Sequence, residues 1–142
     1  MGLLDKLFKS EPDYPALESD SEAARQIRQV ESVLESLAEN VSDKMEIVPA
    51  NEETYIFLGK PPKVFGLAWI RDGKVKKLND VVEAKGIPHH KVEALVEQVR
   101  AAYDRSQNDE RYNAELAGRT VVVTLSEGLR DKVHEVVEKV VA

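Results

Sequence analysis

Val64-Phe65-Gly66-Leu67-Ala68-Trp69-Ile70-Arg71-Asp72-Gly73-Lys74-Val75-Lys76-Lys77-Leu78 is the stretch on which the fold turns. Its first seven residues are apolar on both alternating sides, the pattern of a central strand covered on both faces. Asp72-Gly73 tolerates the positive φ of a type I′ turn, so a hairpin and a short strand over 75–78 are expected. Upstream, Met45–Val48 and Thr54–Leu58 read as two further strands joined through 49–53, and Gly59-Lys60-Pro61-Pro62-Lys63 forms a rigid break before Val64. Four antiparallel strands in succession predict a meander.

The segments around the meander change period. Before it, Ser19-Asp20-Ser21-Glu22 has the form of a capping box, and Ile27, Val30, Leu34, Leu37 and Val41 recur at steps of three and four. One helix over roughly 20–40 is predicted. After it, Asn79 is placed to cap a short helix over 80–85 that Gly86 ends. Pro88 suits the first turn of a longer helix, whose Val92, Leu95, Val96, Val99 and Tyr103 share a face. Residues 106–115 are polar and predict a loop. Thr120–Leu125 reads as a buried strand that follows helices and is therefore free to lie parallel to a neighbour. Ser126 then caps a last helix with Leu129, Val133, Val136, Val137 and Val140 inward. Together these predict an α+β domain of two layers, a mainly antiparallel sheet of about five strands packed against three or four helices.

At the N-terminus, Leu3, Leu4, Leu7 and Phe8 fall on one helical face, with Asp5, Lys6 and Lys9 off it. The segment is too short for a signal-peptide core, and eight residues make a helix that is marginal alone in water. It is therefore expected to dock on its own domain, in a partner's groove or on a lipid surface. Residues 10–19, with two prolines and three acids, read as an acidic linker that anionic lipid would repel. The chain thus divides into an amphipathic segment and linker over 1–19 and one domain over 20–142.

Composition bounds the function. A chain of 142 residues fits one domain, and it can bury roughly 70% of the surface its unfolded form exposes, so no metal or disulfide is needed for stability. The absence of cysteine excludes a disulfide scaffold, a thiolate zinc site, a cysteine-ligated iron–sulfur cluster and thiol catalysis. A net charge of −6 argues against a nucleic-acid coat. No uncharged run approaches the ~20 residues of a spanning helix. A cytoplasmic chain is expected.

The total conceals a split. From Glu11 to Glu53 there are twelve acids and three bases, whereas from Lys60 to Lys77 there are six bases and one acid. Glu31, Glu35 and Glu39 recur at i, i+4 and i+8, a spacing at which like charges repel by a few tenths of a kcal/mol per pair. Lys74, Lys76 and Lys77 of the hairpin are candidates to relieve them, within one molecule, between two copies or through a foreign partner.

The remaining constellations are weak. His89 and His90 are adjacent and point about 100° apart on a helix, so a metal would need His134 or a distant carboxylate as well. The junction 124–128 exposes helix N-terminal amides, but it lacks a phosphate loop's glycines and lysine. No catalytic motif stands out, and no cofactor is implied. The residues favour a non-catalytic protein-interaction or accessory module, with Leu3, Leu4, Leu7, Phe8, Glu31, Glu35, Glu39, Lys74, Lys76 and Lys77 as the partner-binding set and a homodimer as one form of it. The alternative is a small-ligand-binding or enzymatic domain with a pocket between sheet and helices, lined by Tyr55, Trp69, Tyr103 and Tyr112. Peripheral membrane contact through the first eight residues is a third, weaker reading.

Overall fold

The four strands of the meander form where alternation and turn chemistry place them. They are β1 (Met45–Pro49), β2 (Thr54–Lys60), β3 (Val64–Arg71) and β4 (Lys74–Lys77) in a computed structural model that describes residues 14–142. The expected helix through Leu3, Leu4, Leu7 and Phe8 lies outside the described residues. Asp72 and Gly73 have φ of 53° and 73°, as a type I′ turn requires. The register sets Ile47 beside Ile56 and Ala68, and Val48 beside Tyr55 and Trp69.

Two corrections concern the sheet. Residues 110–115, expected as part of a loop over 106–115, belong to β5 (Glu110–Leu116), which pairs antiparallel with β6 (Arg119–Leu125). The sheet is therefore six-stranded and mixed, in the order β4-β3-β2-β1-β6-β5, and β6 lies parallel to β1. The polar look of β5 has a physical origin. Arg111 is buried there, with Glu46 and Ser106 satisfying its guanidinium.

Helices cover both faces, so the domain has three layers rather than two. On one face, Met45, Ile47, Ile56, Ala68 and Ile70 pack with Leu34, Leu37 and Ala38. On the other, Val48, Tyr55, Phe57, Leu67 and Trp69 pack against three later helices. The first layer is not one rod but α1 (Glu22–Gln29) and α2 (Glu31–Asn40), broken at Val30, whose φ and ψ are −119° and 18°. The break lets Ile27 and Val30 pack against the same cluster as Leu34 and Leu37. The N-cap of α1 is Ser21, whose hydroxyl accepts from the Ala24 amide at 3.1 Å, two residues beyond Ser19, the cap that the Ser-x-x-Glu pattern implies.

The other layer holds α3 (Leu78–Lys85), α4 (His89–Arg105) and α5 (Glu127–Val141). α3 begins at Leu78 with no side-chain cap, so Asn79 lies inside it, and Gly86 ends it with φ 65°. Ser126 caps α5 through its hydroxyl, which accepts from the Leu129 amide at 3.2 Å. Leu129, Val133, Val136, Val137 and Val140 are each at most 1% exposed, worth about 2 kcal/mol apiece in buried apolar surface. Among the described residues no helix is long and apolar enough to cross a membrane.

Candidate functional site

The turn that follows β1 lines an open cleft of about 610 Å³ through Ala50, Asn51 and Glu52. One wall is α5, which presents Arg130, Asp131, His134 and Glu138. Opposite stand Glu53 and Tyr55 of the β2 entry, Arg71 at the end of β3, and Asp72. Residues i and i+2 share a strand face, and i and i+4 share a helix face, so Glu53 and Tyr55 meet His134 and Glu138.

Glu53 is the hub. It is 7% exposed, accepts a hydrogen bond from the Tyr55 hydroxyl at 2.8 Å, and is ion-paired with Arg71. Burial would raise its carboxyl. The hydrogen bonds from Arg71 and Tyr55, together with the Arg71 charge, outweigh burial and hold it below the ordinary value. Burial and the neighbouring carboxylate push the Tyr55 phenol well above its usual range, so it stays a neutral O–H donor. Arg71 also donates to Glu138, and these contacts hold its guanidinium firmly charged.

The geometry fixes the histidine. His134 Nδ1 lies 2.7 Å from the Tyr55 oxygen and 3.2 Å from a Glu53 oxygen. An ionised carboxylate only accepts, and the Tyr55 proton is already directed at it. Nδ1 therefore carries a proton, an assignment made from the network, and in the neutral ring Nε2 is the acceptor. The side chain of His134 is 53% exposed, and Nε2 is 3.9 Å from Glu138.

Glu53, His134 and Glu138 each bring a ligand-capable atom within 4.8 Å of the others. The Arg71 guanidinium already donates to both carboxylates and supplies the positive charge that a divalent ion would bring. An ion there would have to displace it. The arrangement is better suited to receiving a hydrogen-bond donor at Nε2 than to holding a metal.

The residues singled out in the sequence are dispersed. Tyr55 lines the cleft, but Trp69 is sealed in the core and Tyr103 borders a different groove. Tyr112 lies on β5, half-buried. The space between sheet and helices is filled by Trp69, Val99, Val133 and Val136, so the concavity is at the sheet's end instead. Ser32, Val33, Ser36 and Asn40 of α2 line a groove with Gly73, Val75 and Lys77 of the hairpin. Glu31, Glu35 and Glu39 sit one residue earlier in each turn, about 100° round the helix from that row. Among the described residues they form no ion pair with Lys74, Lys76 or Lys77, all three of which are exposed. His89 pairs with Glu93 at 2.9 Å on the surface, and His90 is exposed. Leu3, Leu4, Leu7 and Phe8 lie outside the described residues.

Glu53, Arg71 and Glu138 were not expected at a site, and no local motif marks them. The available signal was Glu53-x-Tyr55 on a strand and His134-x-x-x-Glu138 on a helix. Comparison of the chain with protein-family models, curated proteins and solved structures finds no match.

Proposed function

We propose that this protein is a ligand-binding domain whose site is the cleft between α5 and the β2–β3 end of the sheet. The observation that carries the reading is the oriented histidine. A buried carboxylate and a neutral phenol hold one ring nitrogen, leaving the other at an open cleft, where the neutral ring offers it as an acceptor. The lining adds Glu52, Glu53, Asp72, Asp131 and Glu138 against Arg71 and Arg130, five acids to two bases. Both arginines contact carboxylates within the cleft, Arg130 through Asp131 at 3.2 Å. A small ligand with positive charge and N–H or O–H donors matches this surface.

The test is two-dimensional NMR with spermidine and agmatine as probes and phosphate as the anionic control. Saturable shifts at Arg130, His134 and Glu138 with the cationic probes, lost in His134→Ala, support the proposal. Absence of such shifts, or equal shifts with phosphate, overturns it.

A second reading, docking on a protein partner, draws on the acidic row of α2 and the lysine edge of β4. Each is exposed or half-buried, and neither neutralises the other, so both are free to meet complementary surfaces. Leu3, Leu4, Leu7 and Phe8 would add an apolar anchor of the helix-in-groove kind. Partner capture from native lysate that is insensitive to Glu31→Lys, Glu35→Lys and to Leu4→Glu would dismiss this reading.

A further inference from the structure

A second groove, of about 340 Å³, lies at the opposite end of the sheet from the cleft, where β1 and β6 begin and β2 ends. Met45, Pro61, Tyr103 and Val122 supply its apolar wall, and Lys44 and Lys60 stand at it. Beside it, Val64 pairs in register with Lys60 and is 78% exposed, the one large apolar side chain so uncovered among the described residues. Neither lysine ammonium has an ion-pair partner among those residues.

Tyr14, where the described chain begins, is part of the groove wall. It is held there because Asn113 donates from its side chain to the Tyr14 carbonyl at 3.2 Å and from its backbone to the Pro15 carbonyl at 2.8 Å. The thirteen residues before it therefore start at the groove. Five residues lie between Phe8 and Tyr14, six Cα steps with a reach of up to about 20 Å. Glu11 and Asp13 lie within that span, opposite in charge to the two lysines.

We propose that residues 1–13 of the same chain cover this groove, with Leu3, Leu4, Leu7 and Phe8 against its apolar wall and Glu11 and Asp13 near Lys44 and Lys60. The pairing answers two needs at once. A short amphipathic segment has no stable helix without a surface to lie on, and the groove has apolar surface that no described residue fills. The proposal stands independently of the ligand cleft.

The chain has no cysteine, so Lys6→Cys gives one attachment point for a nitroxide in the full-length protein. Loss of amide signal at Met45, Gly59, Lys60 and Val122 is expected, with recovery when Leu4, Leu7 and Phe8 are all changed to Glu. Signal loss spread evenly over the surface, or centred on the α5 cleft, overturns the proposal. Mixing spin-labelled chains with isotope-labelled, unlabelled-spin chains separates the occupants. Broadening of the groove in the mixture means that a second copy supplies the segment, which also overturns the same-chain assignment.

Discussion

Tyr55 and His134 stand seventy-nine residues apart in sequence and 2.7 Å apart in space, and this contact joins the meander to the last helix. The Tyr55 hydroxyl both donates to Glu53 and accepts from the imidazole, so it does two tasks that phenylalanine cannot. Tyr55→Phe should cost about 1–2 kcal/mol by denaturant unfolding. It should also release the ring of His134, seen as a changed tautomer balance in its nitrogen chemical shifts. An unaltered balance would mean that the hydroxyl does not orient the ring.

Glu53 makes stability depend on acid. Its folded pKa lies below the unfolded one, so the unfolded chain binds the extra proton as pH falls through the ordinary value near 4.5. The contribution is complete at neutral pH and is lost as pH drops through the depressed folded value. Glu53→Gln should therefore destabilise by about 2 kcal/mol at pH 7, with the gap from wild type closing toward pH 3. A gap independent of pH would refute the assignment.

Among the described residues Glu46 and Arg111 are the other buried charges, at 9% and 7% exposure. Glu46 accepts from Tyr103 at 2.6 Å and from Thr124 at 2.5 Å, while Arg111 donates to the Ser106 carbonyl at 2.7 Å. Glu46→Ala should cost about 3 kcal/mol by stranding the guanidinium, and Glu46→Leu combined with Arg111→Met should cost less than the sum of the singles. A double-mutant cycle in urea measures the coupling. Strict additivity would show the pair to be independent.

Helices on both faces predict a core cost on both. Leu34→Ala, on the α2 side, should lose about 3 kcal/mol, comparable with Leu129→Ala on the other side. Val64→Ala, exposed at the start of β3, should change stability by no more than about 0.5 kcal/mol in the same measurement.

Gly59 has φ 111°, and a Cβ there would come within 2.9 Å of the Val64 carbonyl oxygen. Gly59→Ala should cost more than about 2 kcal/mol, because strain and a backbone clash combine. Gly73 has φ 73° with open space around it, so Gly73→Ala should cost about 1 kcal/mol. Equal melting temperatures for the two variants would contradict the close approach.

What was legible followed from local pattern. The strands from Met45 to Lys77 announced themselves because alternation and the Asp72-Gly73 turn are short-range signals. The α5 stripe from Leu129 to Val140 did so for the same reason. β5 was hidden because Arg111, Asn113 and Glu115 are polar, and the burial of Arg111 depends on Ser106 and on the distant Glu46. The kink at Val30 was hidden because the apolar steps continue smoothly through it. The cleft was least legible. Glu53 and His134 are eighty-one residues apart, and nothing in either neighbourhood indicates that a parallel β1–β6 pairing brings α5 over the β2 entry.

That pairing also sets an order of events. As the chain is synthesised, β1 to β4 can assemble as soon as residue 77 has emerged, each strand finding its neighbour through a short turn. β1 is then an outer strand, rich in apolar residues and open along one side, until β6 arrives more than forty residues later. For that interval the half-built sheet offers a sticky border to any other nascent chain. Aggregation during expression should therefore track how quickly the last third of the chain is delivered, rather than the stability of the finished domain.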